Sequence, residues 1–234
     1  MASQALDRFF QLLDRTPGGE VFNPWKRRDP GTDAPCNGPA ARRERLAAHL
    51  NTWPRRILIG EAAGYQGCHV TGIPFTSERL VMAMVIPRVA SDGRRLSSRR
   101  LPWSEPSATT VWGTLQALGI ERDTVLWNAF PWHPHRRGQL QSNRTPTRAE
   151  RALGLVVLDA LLAAVPAATV FAVGRHAEAA LHEAGRQAFT LRHPSMGGAT
   201  AFRRGLEAGI LVGAAIEPGR RIAALPHTNR PNGL

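Results

Sequence analysis

Cysteine is scarce in this sequence: Cys36 and Cys68 are the only two among 234 residues, and they form no CxxC pair. That excludes the disulfide framework of small secreted domains, and a reducing, cytoplasmic setting is expected. Long apolar runs are absent too. The greasiest region, Leu161 to Val173, is broken by Pro166. Ile210 to Ile216 is far shorter than the roughly 20 residues that span a bilayer, so no membrane partner is expected. The first helical stretch carries Asp7, Arg8 and Asp14, which interrupt the apolar segment of a signal peptide. Lysine is nearly missing: of 30 basic residues all but Lys26 are arginine, against 18 acidic ones, for a formal charge of +12. Guanidinium groups pair with phosphate in a bidentate way, so the excess points toward a polyanion. A GC-rich genome produces the same bias, and charge alone does not identify nucleic acid.

The length suits one α/β domain over residues 1–216, followed by a basic, flexible tail over residues 217–234. Leu6, Phe9, Phe10 and Leu13 fall at helical spacing, a Gly/Pro-rich loop runs from Thr16 to Gly38, and Pro39 opens a helix to about Leu50. Short apolar runs at Arg56–Gly60, Thr124–Asn128, Thr169–Gly174 and Gln187–Leu191 read as buried strands. Helical segments lie at Ser107–Leu118, at Thr147–Ala164 with a Thr147/Glu150 capping box, at Arg175–Ala184 and at Ala199–Val212. This alternation predicts a three-layer α/β/α sandwich around a four-stranded parallel sheet. There is no internal repeat. Arg88 to Pro106, rich in Pro, Ser and Arg, is expected to be mobile.

Ligands of such sheets bind beyond the carboxyl ends of the strands. The unusual residues gather there: Gly60 to Gly67 after the first strand, Asn128 closing the second, and His193-Pro194-Ser195 after the fourth. Three glycines between Gly60 and Gly67 let backbone amides approach a ligand, while their spacing excludes the P-loop and the GxGxxG pattern. Thr71-Gly-Ile-Pro-Phe75, Asn128-Ala-Phe130 and Leu191-Arg-His-Pro-Ser195 accompany them. These four pieces, in this order, resemble the uracil-DNA glycosylase superfamily from about Arg56 to Leu206. The likeness is strongest to its iron–sulfur branch, whose motifs look like Gly60 to Gly64, Gly72 to Phe75 and Asn143 to Thr147. Two cysteines cannot supply that branch's four cluster ligands, so a metal-free member without a cofactor is expected.

The resemblance implies excision of a flipped-out uracil from uracil-containing DNA by a monomer. Phe75 would stack on the ring. Asn128 would donate to O4 and accept from N3–H, a pattern cytosine reverses, for about 1–3 kcal/mol of discrimination. His193 would donate to O2, where charge builds as uracil leaves, with backbone N–H groups of the Gly60, Glu61, Ala62 and Gly64 loop. Ser195 would hold a phosphate, Met196 would wedge into the gap in the duplex, and Arg144, Arg192 and Arg203 would contact phosphates. Where the best-known branch reads Gly-Gln-Asp-Pro-Tyr, this chain reads Gly60-Glu-Ala-Ala-Gly64, so its aspartate and its thymine-excluding tyrosine are missing. Glu61 is the favoured replacement for the charge and Tyr65 for the exclusion; a re-routed loop carrying Tyr65 and Gln66 into the pocket is the other repair. His133 and His135 lack a third ligand for zinc and are expected to face solvent or DNA. Two other readings stay open: a non-catalytic binder of flipped bases or abasic DNA, and a small-molecule enzyme on the same scaffold.

Overall fold

A computed structural model describes residues 2–216; the expected tail, 217–234, lies outside the described residues. The chain runs α1 (Ala2–Leu13), β1 (Val21–Phe22), α2 (Pro39–Leu50), β2 (Arg56–Ala62), α3 (Cys68–Thr71), α4 (Glu78–Met82) and α5 (Pro106–Ala117). It continues with β3 (Thr124–Phe130), β4 (His133–Pro134), α6 (Arg148–Ala164), β5 (Thr169–Val173), α7 (Arg175–Glu183), β6 (Phe189–Leu191) and α8 (Ala199–Ile216). Strands β3, β2, β5 and β6 lie side by side in that order, all parallel, as the alternation of apolar runs and helices requires.

Strand residues alternate between two cores. Ile57 and Ile59 of β2 join Phe9 and Leu13 of α1, Leu158 and Leu161 of α6 and Ala177 and Ala180 of α7 on one face. Leu58, Leu126 of β3 and Phe171 of β5 meet Trp112 of α5 and Phe202 and Leu206 of α8 on the other. The parity matters for function. Gly60 and Asn128, paired across β2 and β3, share the second face with Leu58 and Leu126, whereas Glu61 shares the first with Ile59. The capping box closes the start of α6: the Glu150 N–H donates to the Thr147 hydroxyl (3.2 Å), and the Thr147 N–H donates to the Glu150 carboxylate (2.7 Å).

Two features differ from expectation. An antiparallel ribbon pairs Val21 with Pro134 and Phe22 with His133. Strands of two residues, one of them proline, carry no periodic signal. The segment from Arg88 to Pro106, expected to be mobile, is instead clamped by the fully buried carboxylate of Glu78. That group accepts from the N–H of Leu96 (2.9 Å), Ser97 (2.9 Å) and Trp103 (2.8 Å), from the Ser97 hydroxyl (2.6 Å) and from Arg95 Nε (2.8 Å). Burial alone would raise the Glu78 carboxyl, but the donors from Arg95, Ser97 and Trp103 hold it below the usual range. Leu96 and Trp103 are buried accordingly.

Candidate active site

A cleft of about 920 Å³ opens at the carboxyl ends of the strands, lined among others by Ala62, Ala63, Gly64, Phe75, Asn128 and His193. Phe75 forms its apolar floor. A Cβ placed on Gly60 would lie 2.5 Å from the Phe75 ring and 2.7 Å from the Asn128 amide, so the ring and the amide pack directly on the bare backbone of β2. Phe75 has φ of 50°, a left-handed conformation rare outside glycine and a local strain of roughly 1–3 kcal/mol. Its neighbours impose that conformation. The Thr71 hydroxyl donates to the Thr76 carbonyl (2.8 Å) and accepts from the Ile73 N–H (3.1 Å), and Trp112 Nε1 donates to the Thr76 hydroxyl (3.0 Å).

Asn128 is 3% exposed. Its hydrogen-bond network assigns the amide orientation: the oxygen accepts from the Ala63 N–H (3.2 Å) and the nitrogen donates to the Trp127 carbonyl (3.3 Å). One N–H and one lone pair remain for a ligand. Across the cleft, His193 stands 6.5 Å from Phe75 between ring centroids. Its Nδ1 lies 2.7 Å from the Ser195 hydroxyl and 3.2 Å from the Ser195 N–H. With Nδ1 engaged as acceptor, the proton of the neutral ring sits on Nε2. Burial, assisted by Arg192, pushes the His193 pKa below its ordinary value, so the ring is neutral at physiological pH and donates without being charged.

The other expected residues are divided. Glu61 lines the cleft from the far face of the sheet: Oε1 has no hydrogen-bond partner and stands 3.9 Å from His176 Nδ1. Tyr65 turns away; its ring packs edge-on against Trp103, with centroids 5.4 Å apart, and neither Tyr65 nor Gln66 is among the cleft-lining residues. Ser195 spends its hydroxyl proton on His193. Met196 is 90% exposed at the tip of the His193 loop, with φ of 52°. Arg192 is exposed at the cleft, while Arg203 pairs with Glu207 along α8 (3.0 Å) and does not line it. Arg144 borders the cleft but is committed elsewhere. Its two terminal nitrogens grip the Glu150 carboxylate at 2.7 Å each, and Nε donates to the His135 carbonyl (2.9 Å).

Glu105 was not singled out from sequence, Asn143 only as the first residue of the Asn143–Thr147 motif, and the relay behind it only through His133. Glu105, at the start of α5, lines the cleft; burial pushes its carboxyl up, against the Ser107 hydroxyl that donates to it (2.7 Å). Asn143 also lines the cleft and accepts the Tyr65 N–H (3.1 Å), which ties the β4–α6 loop to the glycine-rich loop. Behind it runs a buried relay. Asp29 Oδ2 lies 3.0 Å from His69 Nε2, His69 Nδ1 lies 2.8 Å from His133 Nδ1, and His133 Nε2 lies 2.7 Å from the Ser142 carbonyl. His133 therefore does not face solvent or DNA: the β1–β4 ribbon buries it, and burial pushes it down to about 3. His135 is only partly buried. Among the described residues no group of three His, Cys, Asp or Glu is arranged to hold a metal ion. Cys36 is exposed and Cys68 buried, and two thiols do not fit a four-thiolate cluster.

An apolar ring, a carboxamide on its edge and a neutral imidazole opposite thus share one cleft at the carboxyl ends of an α/β sheet. The sequence profile of the uracil DNA glycosylase superfamily matches residues 48–208, and the chain belongs to that family. A comparison with curated proteins found no match. Among solved structures, the crystal structure of wild-type Pedobacter heparinus SMUG2 has a similar fold, with a TM-score of 0.56 at 17% identity over 90% of this chain and 97% of that one. Among the described residues no helix is long and apolar enough to cross a membrane.

Proposed function

We propose that this protein is a monofunctional DNA glycosylase that hydrolyses the N-glycosidic bond of a flipped-out deoxyuridine, releasing uracil and leaving an abasic site. The observation that carries this reading is the convergence of Phe75, Asn128 and His193 on one cleft. Unstacking a base costs roughly a few kcal/mol, and sandwiching against Phe75 recovers part of it. The free N–H of Asn128 donates to O4 and its free lone pair accepts from N3–H. Cytosine offers the opposite polarity at both atoms.

As the C1′–N1 bond breaks, its electron pair goes to the base and negative charge spreads onto O2. His193 Nε2–H donates to that oxygen, and the neutral ring holds its proton because Ser195 occupies Nδ1. Water attacks C1′ and gives a proton to the Glu61 carboxylate, and the proton balance closes when the released uracil anion takes one up. Glu61 reaches the cleft from the opposite sheet face, which favours a role for its carboxylate at the rim beside the sugar over one against the base. There its charge supports the sugar cation and the incoming water. Met196, exposed and held in a turn, suits a wedge entering the duplex, and Arg192 suits a phosphate.

The test is cleavage of a labelled oligonucleotide carrying one deoxyuridine, followed by alkali, for wild type, Glu61→Gln, Asn128→Ala and His193→Ala at matched salt. Strand scission by wild type is expected, with a loss on the order of 10²–10³-fold for His193→Ala. Wild type that binds the DNA and leaves it uncut would replace this reading with that of a binder of flipped bases.

A further inference from the structure

The glycosylase reading leaves thymine unexplained, because thymine differs from uracil only by a methyl at C5. Gly64 puts no side chain where the best-known branch places its tyrosine, and Tyr65 packs on Trp103 outside the cleft. We propose that Glu105 closes the C5 end of the base pocket and determines discrimination against thymine; the proposal rests on the uracil-excision reading.

The sheet order supplies the orientation. Asn128 lies in the carboxyl-terminal half of β3 at one border of the sheet and His193 follows β6 at the other, so the two groups bracket a pyrimidine lying on Phe75. With O2 toward His193 and the N3–O4 edge on Asn128, C5 comes next around the ring, on the side away from O2. The cleft residues Val173, Gly174, Thr190 and Leu191, at the ends of β5 and β6, lie on the His193 side of the sheet, which leaves the loop after β2 and the start of α5 to face C5. The Glu105 carboxyl lies directly on the bare backbone of Gly67: a Cβ there would be 2.0 Å from Oε2 and 3.4 Å from the carbonyl of Thr76, the residue after Phe75. Glu105 thus stands beside the ring platform, next to Cys68, which also lines the cleft.

The carboxyl is held rather than free, because Ser107 donates to Oε1 and Gly67 leaves no slack behind Oε2. A C5–H leaves room for water to reach that oxygen. A C5 methyl fills the room and strips the oxygen of its partner, and a site that leaves a buried polar group unpaired rejects the ligand responsible. Bulk and desolvation therefore act in the same direction.

Matched single-stranded oligonucleotides carrying one uracil or one thymine, followed under single-turnover conditions, test this. Wild type releases uracil and spares thymine. Glu105→Ala is expected to release thymine measurably and to narrow the uracil-to-thymine rate ratio at least tenfold. Glu105→Gln, of equal length, keeps the uracil-to-thymine rate ratio within about threefold of wild type whatever its absolute rate, and Tyr65→Ala leaves the ratio unchanged. A gain of thymine release cannot come from misfolding. An unchanged ratio in a folded Glu105→Ala variant that still cuts uracil overturns the proposal alone. Wild type that cuts neither substrate overturns the glycosylase reading, and this proposal with it.

Discussion

Replacing Gly60 by alanine isolates the packing of the cleft from the chemistry proposed for it, because no titratable or polar side chain is removed. The added Cβ would sit 2.5 and 2.8 Å from two atoms of the Phe75 ring and 2.7 Å from the Asn128 amide. Carbon atoms pack best at about 3.5–4.0 Å, so the ring must retreat by about 1 Å. It has little freedom to do so, since Thr71 and Trp112 tie down Thr76 beside it and its own φ is already left-handed. Overpacking of this kind costs about 1–3 kcal/mol of stability, or roughly 2–12 °C in Tm for a domain of this size. Activity should fall much further: a misplacement of about 1 Å is worth on the order of 10²-fold in rate. The assay is single-turnover uracil release at a temperature where melting curves show the variant fully folded. A folded Gly60→Ala variant that keeps the wild-type rate would refute the reasoning, because Phe75 and Asn128 would then not define the pocket.

Other perturbations read other parts of the molecule. His49 Nε2 accepts the Leu126 N–H (2.9 Å), and burial together with Arg88 pushes this histidine down to about 3. The unfolded chain takes up a proton below about 6.5 and the fold does not, so its contribution is complete above 6.5 and is lost as pH falls from there toward 3, by about 1.4 kcal/mol per pH unit. Urea midpoints between pH 7 and 5 should show His49→Gln with a shallower decline than wild type; equal slopes would contradict this. Glu78→Ala leaves five donors without their acceptor and should destabilise by about 3–5 kcal/mol, with new tryptic cleavage at Arg99 or Arg100. Resistance to trypsin at those sites would mean that the segment is held by other contacts. In DNA titrations across salt, Arg192→Ala should reduce the slope of log K against log salt by about 0.9 on duplex, while Arg144→Ala should lower Tm and leave the slope unchanged. The reverse pattern would exchange their roles.

The sheet was legible from sequence because each strand is a short apolar run, with Gly60 and Gly174 ending two of them, and the capping box at Thr147 marks the start of α6. Asn128 and His193 were singled out beside strand ends, where topology concentrates ligands, and Phe75 through the Gly72–Phe75 motif; all three line one cleft. Glu105 was missed for a physical reason: its segment lacks periodicity, and its order comes from the Glu78 carboxylate, which no local pattern predicts. His133 was misread because a proline-containing ribbon of two residues buries it. The pairing of Arg144 with Glu150 was not foreseen, since Glu150 read from sequence only as the partner of Thr147 in the capping box of α6.

The family profile begins at residue 48, but the architecture that holds the pocket begins well before it. Phe9 and Leu13 of α1 cover α6, and Asp29 anchors the relay that ends at the Ser142 carbonyl beside Asn143. Arg42 donates to the Pro24 and Arg27 carbonyls while paired with Asp33, and the Glu20 carbonyl accepts from Arg144. The inherited chemical unit and the cooperative folding unit therefore have different borders. A transplant of residues 48–208 alone would carry every cleft-lining side chain and still lose the partners that keep Asn143 in register with the glycine-rich loop.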